Sequence, residues 1–196
     1  MSPLTQTPSQ TVGPFFAYGL VPAQYGYALT SLFTSVLAQP HAEGEHIRIT
    51  GQVLDGAGQP VADALLEISQ PDARGRPITS QADVQGRSFS GFGRCGTGTQ
   101  TQHHFFFDTV KPASVGAGQA PFINVCVSMR GLLVHVFTRI YFDDEAAANS
   151  QDAVLASVPS ERRRTMMATR EETGAGPVFR FDIHMQGEQE TVFFDL

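Results

Sequence analysis

From about residue 46 onward, alternating apolar and polar positions dominate the chain and predict β-strands. Ile47, Ile49 and Val53 alternate with polar side chains, which is the period of a strand with one buried face. A polar, glycine-rich turn at 55–60 separates this segment from an apolar run at 61–68, so the pair is typical of a hairpin. The same pattern predicts further strands at residues 92–95, 104–107, 121–129, 132–142, 179–185 and 191–194.

Helical signals are few and short. A helix is predicted around residues 29–38. A second is predicted at 146–148, where the acidic run Asp143-Asp144-Glu145 suits a helix start. A third is predicted over 161–169, with Ser160 as its candidate cap.

These elements predict one all-β domain over residues 1–196. Residues 1–45, rich in proline, glycine and threonine at their start, are expected to form an amino-terminal arm. Residues 46–196 are expected to form a β-sandwich of mixed and antiparallel strands with a few peripheral helices.

Composition narrows the possible functions. The net charge of −6 and the single lysine, Lys111, argue against a general nucleic-acid binder, and an anionic substrate would need a local arginine. Cys95 and Cys126 lack a paired metal-binding spacing and are expected to be free thiols in a reducing compartment. Residues 1–10 do not resemble a signal peptide, and no apolar run approaches the ~20 residues of a membrane helix. A cytoplasmic protein without nucleic-acid or membrane partners is therefore expected.

Motifs for chemistry within this chain are weak. The histidines are His41, His46, His103, His104, His135 and His184. No H-x-H or H-E-x-x-H spacing occurs, and adjacent histidines on a strand point to opposite faces. Nucleophile-elbow, phosphate-loop and dinucleotide-binding motifs are also missing. An independent metalloenzyme that uses His41, His46 and His103 or His104 is one alternative, and metal analysis of the purified chain would decide it.

A set of short motifs in collinear order spans nearly the whole chain. They are Thr7-Pro-Ser-Gln-Thr-Val-Gly-Pro-Phe15, Gly51-Gln-Val-Leu-Asp-Gly56, Leu66-Glu-Ile68, Gly91-Phe-Gly-Arg94, Thr109-Val-Lys-Pro112, Thr138-Arg-Ile-Tyr-Phe-Asp-Asp-Glu145, Arg180-Phe-Asp-Ile183, Gln186-Gly-Glu188 and Glu190-Thr-Val-Phe-Phe-Asp-Leu196. Together they resemble the intradiol ring-cleavage dioxygenases, and the first motif resembles the arm of α chains from heteromeric members. Each motif alone is weak, but their shared order makes the resemblance specific.

The resemblance implies a ferric site that this chain has lost. In the family, two tyrosines and two histidines hold Fe(III), and the bound catechol ring is opened by O2 between its hydroxyl-bearing carbons. The matching positions here are Pro77, Val115, Phe122 and Asn124. The chain has no tyrosine between residues 28 and 140, so a shifted alignment does not restore the site. The resemblance therefore implies that this chain binds no metal and that Fe(III) belongs to a homologous β chain.

The same resemblance implies a supporting role at the interface with that β chain. The residues that match the family's pocket lining are Thr11, Gly13, Pro14 and Arg130. The implied reaction is cleavage of 3,4-dihydroxybenzoate to 3-carboxy-cis,cis-muconate in the β-ketoadipate pathway, by a hetero-oligomer of several α–β pairs. Arg130 would then face the substrate carboxylate.

Two plainer interpretations stay open. Residues 11–14 could be only a tether, and Arg130 could be a solvated arginine in a hairpin turn. The whole chain could also be a binding module, a transthyretin-like sandwich without a link to catalysis. Co-purification with an iron-binding sister chain would separate that module from the supporting role.

Overall fold

The computed structural model describes residues 6–80 and 88–195, and strands dominate it. The strands are β1 (His46–Leu54), β2 (Leu65–Ser69), β3 (Phe92–Gly96), β4 (His104–Val110), β5 (Phe122–Ser128), β6 (Val136–Phe142), β7 (Met167–Thr173), β8 (Gly176–Arg180) and β9 (Ile183–His184). The polar, glycine-rich segment at 70–89 includes residues 81–87, which lie outside the described residues.

The strands follow the order β3-β2-β5-β6-β7-β8-β1-β4, with β9 beside β1. Most neighbours are antiparallel, whereas β8 and β9 run parallel to β1 and β7 runs parallel to β6. Strand β7 pairs with β6 at its first residues and with β8 along the rest, so it joins the two halves of the sheet. This arrangement confirms the predicted mixed, mainly antiparallel all-β fold.

The core lies between these two halves. Ile49 and Phe107 from one half share a single buried cluster with Ile68, Val125 and further residues from the other half. Their exposure is at most 1%, as alternation along each strand predicts. The packing of two inner faces into one core is the arrangement of a β-sandwich.

Gly51 shows how closely the segments of this core approach each other. A Cβ atom at Gly51 would lie 1.8 Å from the carbonyl oxygen of Phe181, whose N–H donates to the carbonyl of Thr50 at 2.8 Å. A larger residue at position 51 would push the segment that follows β8 away from β1.

The predicted helix at 29–38 is wrong. This segment is irregular, and Val36 and Ala38 form bridges to Asp108 and Phe89. Leu37 is 2% exposed, and its N–H donates to the carbonyl of Asp108 at 2.8 Å. Long-range pairing therefore satisfies the backbone that a helix would have satisfied locally.

The helix predicted after the acidic run is confirmed at Ala146–Asn149, where it follows a 3-10 turn at Asp143–Glu145. The helix predicted over 161–169 is wrong for most of its length, because a 3-10 turn at Arg163–Met166 leads directly into β7. Other helices are Phe16–Leu20 and Ala153–Ser157, with 3-10 turns at Pro22–Tyr25 and Thr101–His103.

Most predicted strands are observed, but the predicted hairpin of the first two is wrong, because β1 pairs with β4, β8 and β9 whereas β2 pairs with β3 and β5 in the other half of the sheet. Strand β7 was not predicted, and the carboxyl-terminal strands differ. The segment predicted at 179–185 is interrupted between β8 and β9, and 191–194 contributes only a bridge from Phe194 to Phe137. In the part of the chain that the structure describes, no helix is long and apolar enough to cross a membrane.

Candidate functional site

Two of the four positions that match the family's iron ligands lie on strand β5. Because side chains alternate along a strand, Phe122 and Asn124 share the face opposite the main core, where Phe122 is 8% exposed and belongs to a second buried cluster with Tyr141. Asn124 is exposed, and its register partners are Ser69 on β2 and Arg139 on β6. Phe122 lies opposite Tyr141, with 6.1 Å between the ring centroids.

The other two positions, Pro77 and Val115, lie on neighbouring loops. The N–H of Ala113 donates to the carbonyl of Asp72 at 3.2 Å. A Cβ atom at Gly75, which has a φ of +76°, would lie 2.0 Å from the carbonyl oxygen of Ser114. The loops that carry Pro77 and Val115 therefore approach each other closely.

Asp72 fixes the loop that carries Pro77. Its carboxylate accepts hydrogen bonds from the backbone N–H groups of Arg74 and Arg76, at 2.9 and 3.0 Å, and pairs with the Arg76 side chain at 2.6 Å. Burial alone would raise the pKa of Asp72. The hydrogen bonds and the ion pair outweigh burial, so the pKa lies below its ordinary value.

These four residues do not fit a ferric ion. Proline, valine and phenylalanine side chains offer no donor atom, and asparagine offers only a neutral amide, whereas Fe(III) in this family takes phenolate and imidazole. Among residues 6–80 and 88–195, no group of three His, Cys, Asp or Glu side chains is arranged to hold a metal ion. His46 and His104 instead bond to the backbone carbonyls of Ala42 and Thr101, at 2.9 and 3.1 Å.

Arg139 occupies the face where the family's ligands would project. Its guanidinium carbon lies 4.0 Å from the centroid of the Phe122 ring, and its Nε donates to Oδ1 of Asn124 at 3.2 Å. Its Nη1 donates to the hydroxyl of Tyr141 at 3.4 Å, and that hydroxyl donates to Asp152 at 3.2 Å. Burial raises the pKa of Tyr141 to about 12, so the hydroxyl stays protonated at neutral pH. Sequence reasoning missed Arg139; its position opposite Asn124 is the signal that a register assignment would have given.

The arm and the turn between β5 and β6 meet at Thr11. The Thr11 hydroxyl accepts a hydrogen bond from the N–H of Gly131 at 2.9 Å and contacts the carbonyl of Met129 at 3.5 Å. Two of the predicted pocket segments, the arm and the Arg130 turn, are therefore in direct contact. Gly13 and Pro14 are exposed just before the helix at Phe16–Leu20, and the Gly13 carbonyl accepts from the N–H of Phe16 at 3.2 Å.

Arg130 forms an ion pair with Asp63 through its Nε, while 60% of its side chain stays exposed. The sequence analysis did not single out Asp63. The signal is again the register of β2 and β5, in which Leu65 pairs with Ser128. Because the two strands are antiparallel, Asp63, two residues before Leu65, lies opposite Arg130, two residues after Ser128. The ion pair orients the guanidinium and leaves most of it accessible.

Large apolar side chains are exposed on the arm and on the β5–β6 turn. They are Phe15, Tyr27, Leu29, Leu32, Phe33, Val36, Leu133 and Val134, with Leu32 the most exposed at 86%. Large apolar side chains that stay exposed suit contact with another protein.

Comparison with known proteins identifies the family. Residues 33–187 match the family described as Dioxygenase. The chain is 58% identical to a protocatechuate 3,4-dioxygenase α chain from Burkholderia cepacia, over 100% of both chains. It is 30% identical to the protocatechuate 3,4-dioxygenase β chain of the same organism, over 76% of this chain and 67% of that one.

A solved structure shows the same fold. The dioxygenase domain of a dioxygenase–carbohydrate-binding protein fusion from Streptomyces sp. SirexAA-E superposes with a TM-score of 0.64 at 21% identity, covering 96% of this chain and 100% of that domain. At this identity the similarity establishes architecture alone. The family match and the full-length relative together show that this chain belongs to the intradiol dioxygenases, in the group of protocatechuate 3,4-dioxygenase α chains.

Proposed function

We propose that this chain is the α subunit that completes the substrate pocket of a protocatechuate 3,4-dioxygenase, at an interface with an iron-binding β chain. The reaction is the intradiol cleavage of 3,4-dihydroxybenzoate to 3-carboxy-cis,cis-muconate, in the β-ketoadipate pathway. The observation that carries the proposal is the hydrogen bond between Thr11 and Gly131, because it joins the arm to the Arg130 turn in one surface. Thr11, Gly13, Pro14 and Arg130 line the pocket from this side.

The metal belongs to the partner in this proposal. Pro77, Val115, Phe122 and Asn124 supply no phenolate or imidazole, so all chemistry at Fe(III) takes place on β-chain ligands. What this chain contributes is binding and orientation of the substrate.

Arg130 is the residue that recognises the substrate carboxylate. The chain carries a net charge of −6, so an anion is drawn to it only where a local cation reverses the field. Asp63 holds one edge of the Arg130 guanidinium, and the 60% exposure of the side chain leaves donors for the carboxylate.

The exposed apolar side chains of the arm and the β5–β6 turn support an α–β assembly. Leu32 at 86% and Leu133 at 61% exposure would be poorly solvated in a lone chain and well buried against a partner. Residues 1–45 act as the arm, residues 46–196 as the sandwich, and several α–β pairs form the complete enzyme. Cys95 and Cys126 are free, which is consistent with a reducing, cytoplasmic setting.

Replacing Arg130 with Gln in the α–β complex tests the proposal. We expect kcat/KM for 3,4-dihydroxybenzoate to fall by about ten- to a hundredfold, equivalent to ~1.5–3 kcal/mol for a charge-assisted contact. Catechol, which has no carboxylate, should lose much less. The iron content should not change, because the ligands belong to the other chain.

Arg48→Gln is the matched control, since Arg48 is also about half exposed and is paired with Asp108 on the other half of the sheet. It should leave both substrates unaffected. Equal losses on both substrates in Arg130→Gln would assign Arg130 a structural role at the interface. Stoichiometric iron and ring cleavage in the isolated chain would refute the proposal as a whole.

A further inference from the structure

The outer face of strands β2, β5 and β6 contains a cavity of about 490 Å³. Ser69, Asn124 and Arg139 line it from adjacent register positions on the three strands, and Phe137 and Phe194 border it. A volume of this size and a mixed lining of aromatic and polar groups are typical of sites for small molecules.

Arg139 is the charged group of this cavity, and it lacks a countercharge of its own. Within residues 6–80 and 88–195, no carboxylate forms an ion pair with Arg139, whereas Arg48, Arg94 and Arg130 each have one. Arg139 contacts the neutral amide of Asn124, the Tyr141 hydroxyl and the face of the Phe122 ring.

The nearest carboxylate in this network, Asp152, is already committed elsewhere. It is 1% exposed and accepts hydrogen bonds from the N–H groups of Ala120, Val154 and Leu155, each at 2.9 Å. It reaches Arg139 only through the Tyr141 hydroxyl. The guanidinium is therefore held in place by neutral contacts and keeps donors for an anion.

We propose that this cavity is a binding site for a small aromatic carboxylate. Arg139 receives the carboxylate, Ser69 and Asn124 supply further hydrogen bonds, and Phe137 and Phe194 contact the ring. The inference goes beyond the proposed function and does not depend on Arg130.

Titration of benzoate into the full chain tests the site by calorimetry, and the titration is repeated on the α–β complex by equilibrium dialysis. We expect one saturable benzoate site on the chain alone. Arg139→Gln should weaken binding at least tenfold. Benzamide, which has the same ring without the charge, should bind at least tenfold more weakly than benzoate to the unmodified chain.

Arg139→Gln also removes the contact with the Phe122 ring, so a second variant separates binding from folding. In Asn124→Asp, a carboxylate next to Arg139 neutralises it at an exposed position. The fold should be kept, as checked by circular dichroism and thermal unfolding, and benzoate binding should again fall at least tenfold. Arg139→Lys keeps the charge and should restore part of the affinity.

Arg130→Gln provides the control that keeps this site separate from the proposed function. It should leave benzoate binding to the chain alone unchanged, even where it impairs turnover of the complex. In the complex, benzoate should occupy one site more per α–β pair than in the same complex carrying Arg139→Gln. No saturable binding, equal binding by Arg139→Gln, or equal affinities for benzoate and benzamide would each overturn the inference.

Discussion

Strand β5 presents alternate residues to two different environments. Ile123, Val125 and Val127 point into the core and are at most 1% exposed. Phe122 and Asn124 lie on the opposite face, at the positions that we match to the family's histidine ligands; Phe122 is buried there in a second cluster with Tyr141, and Asn124 is exposed. Because the inward residues hold the main core together, the exposed position 124 could change without loss of the fold.

The two faces of β5 show that the residues that stabilise the fold differ from those at the proposed former metal site. In our proposal the chain has lost the family's metal ligands, and it keeps the fold of a dioxygenase domain, with which its TM-score is 0.64. The outward face is also not an ordinary solvated surface, because Arg139, Asn124 and the Phe122 ring form a defined set of contacts there. A chain without the metal site can therefore use this surface to bind a different ligand.

The largest expected effect comes from paired substitutions on the two faces of β5. Ile123→Ala should lower the free energy of unfolding by about 2–5 kcal/mol, because it opens a cavity in a fully buried position. Asn124→Ala, at the next residue, should cost less than about 0.5–1 kcal/mol, since the exposed amide makes one hydrogen bond with Arg139. Urea unfolding of both variants measures the difference, and similar costs would show that the outward face also supports the fold.

Removal of residues 1–15 tests the outward surface at the arm. The truncation deletes Thr11 and with it the hydrogen bond to Gly131, along with the exposed ring of Phe15. We expect the dissociation constant of the α–β complex to rise at least about tenfold, which corresponds to ~1.4 kcal/mol. Analytical ultracentrifugation with the β chain gives the measurement. If the truncated chain assembles normally and supports full turnover, the arm is not part of the pocket.

The two thiols test the same comparison without any substitution, because they lie on opposite sides of the same half of the sheet. Burial raises the pKa of Cys95 in the core and of Cys126 on the outward face of β5, each to about 11. Since only the thiolate reacts, alkylation at pH 8 should be roughly a hundredfold slower than for free cysteine, and it should accelerate as the pH rises toward 11. The half-buried Cys126 should react before Cys95, as mass spectrometry of labelled peptides would show. Rapid labelling of Cys95 at pH 8 would contradict the buried position.

Local patterns predicted the strands well and the helices poorly. Alternation identified β1 and the β5–β6 hairpin because each has one face in the core. It missed β7, whose sequence runs through Thr169, Arg170 and Glu171 with little apolar alternation, because that strand is specified by its pairing with β6 and β8. The predicted helix at 29–38 failed for a similar reason, since the backbone of Leu37 pairs with Asp108 across the fold.

The sequence predicted residues of the proposed pocket, but it did not predict which side chains they contact. The motifs placed Thr11 and Arg130 in one pocket, and the role of these residues in binding substrate stays a proposal. Asp63 and Arg139 were not singled out, because an acid before a strand and an arginine within a strand have no distinctive local pattern. Only the register between β2, β5 and β6 places them beside Arg130 and Asn124.

The sequence by itself predicted an all-β member of the intradiol dioxygenases, and it has neither tyrosine nor histidine at Pro77, Val115, Phe122 and Asn124. Those conclusions depend on residue identity and on a two-residue period, which are local properties. The tertiary structure decided that the arm reaches the Arg130 turn through Thr11, and that Arg139 stands over Phe122 without a paired carboxylate in the described residues. These are contacts between segments far apart in the chain, and they form only when burial of the common core fixes the register of the strands.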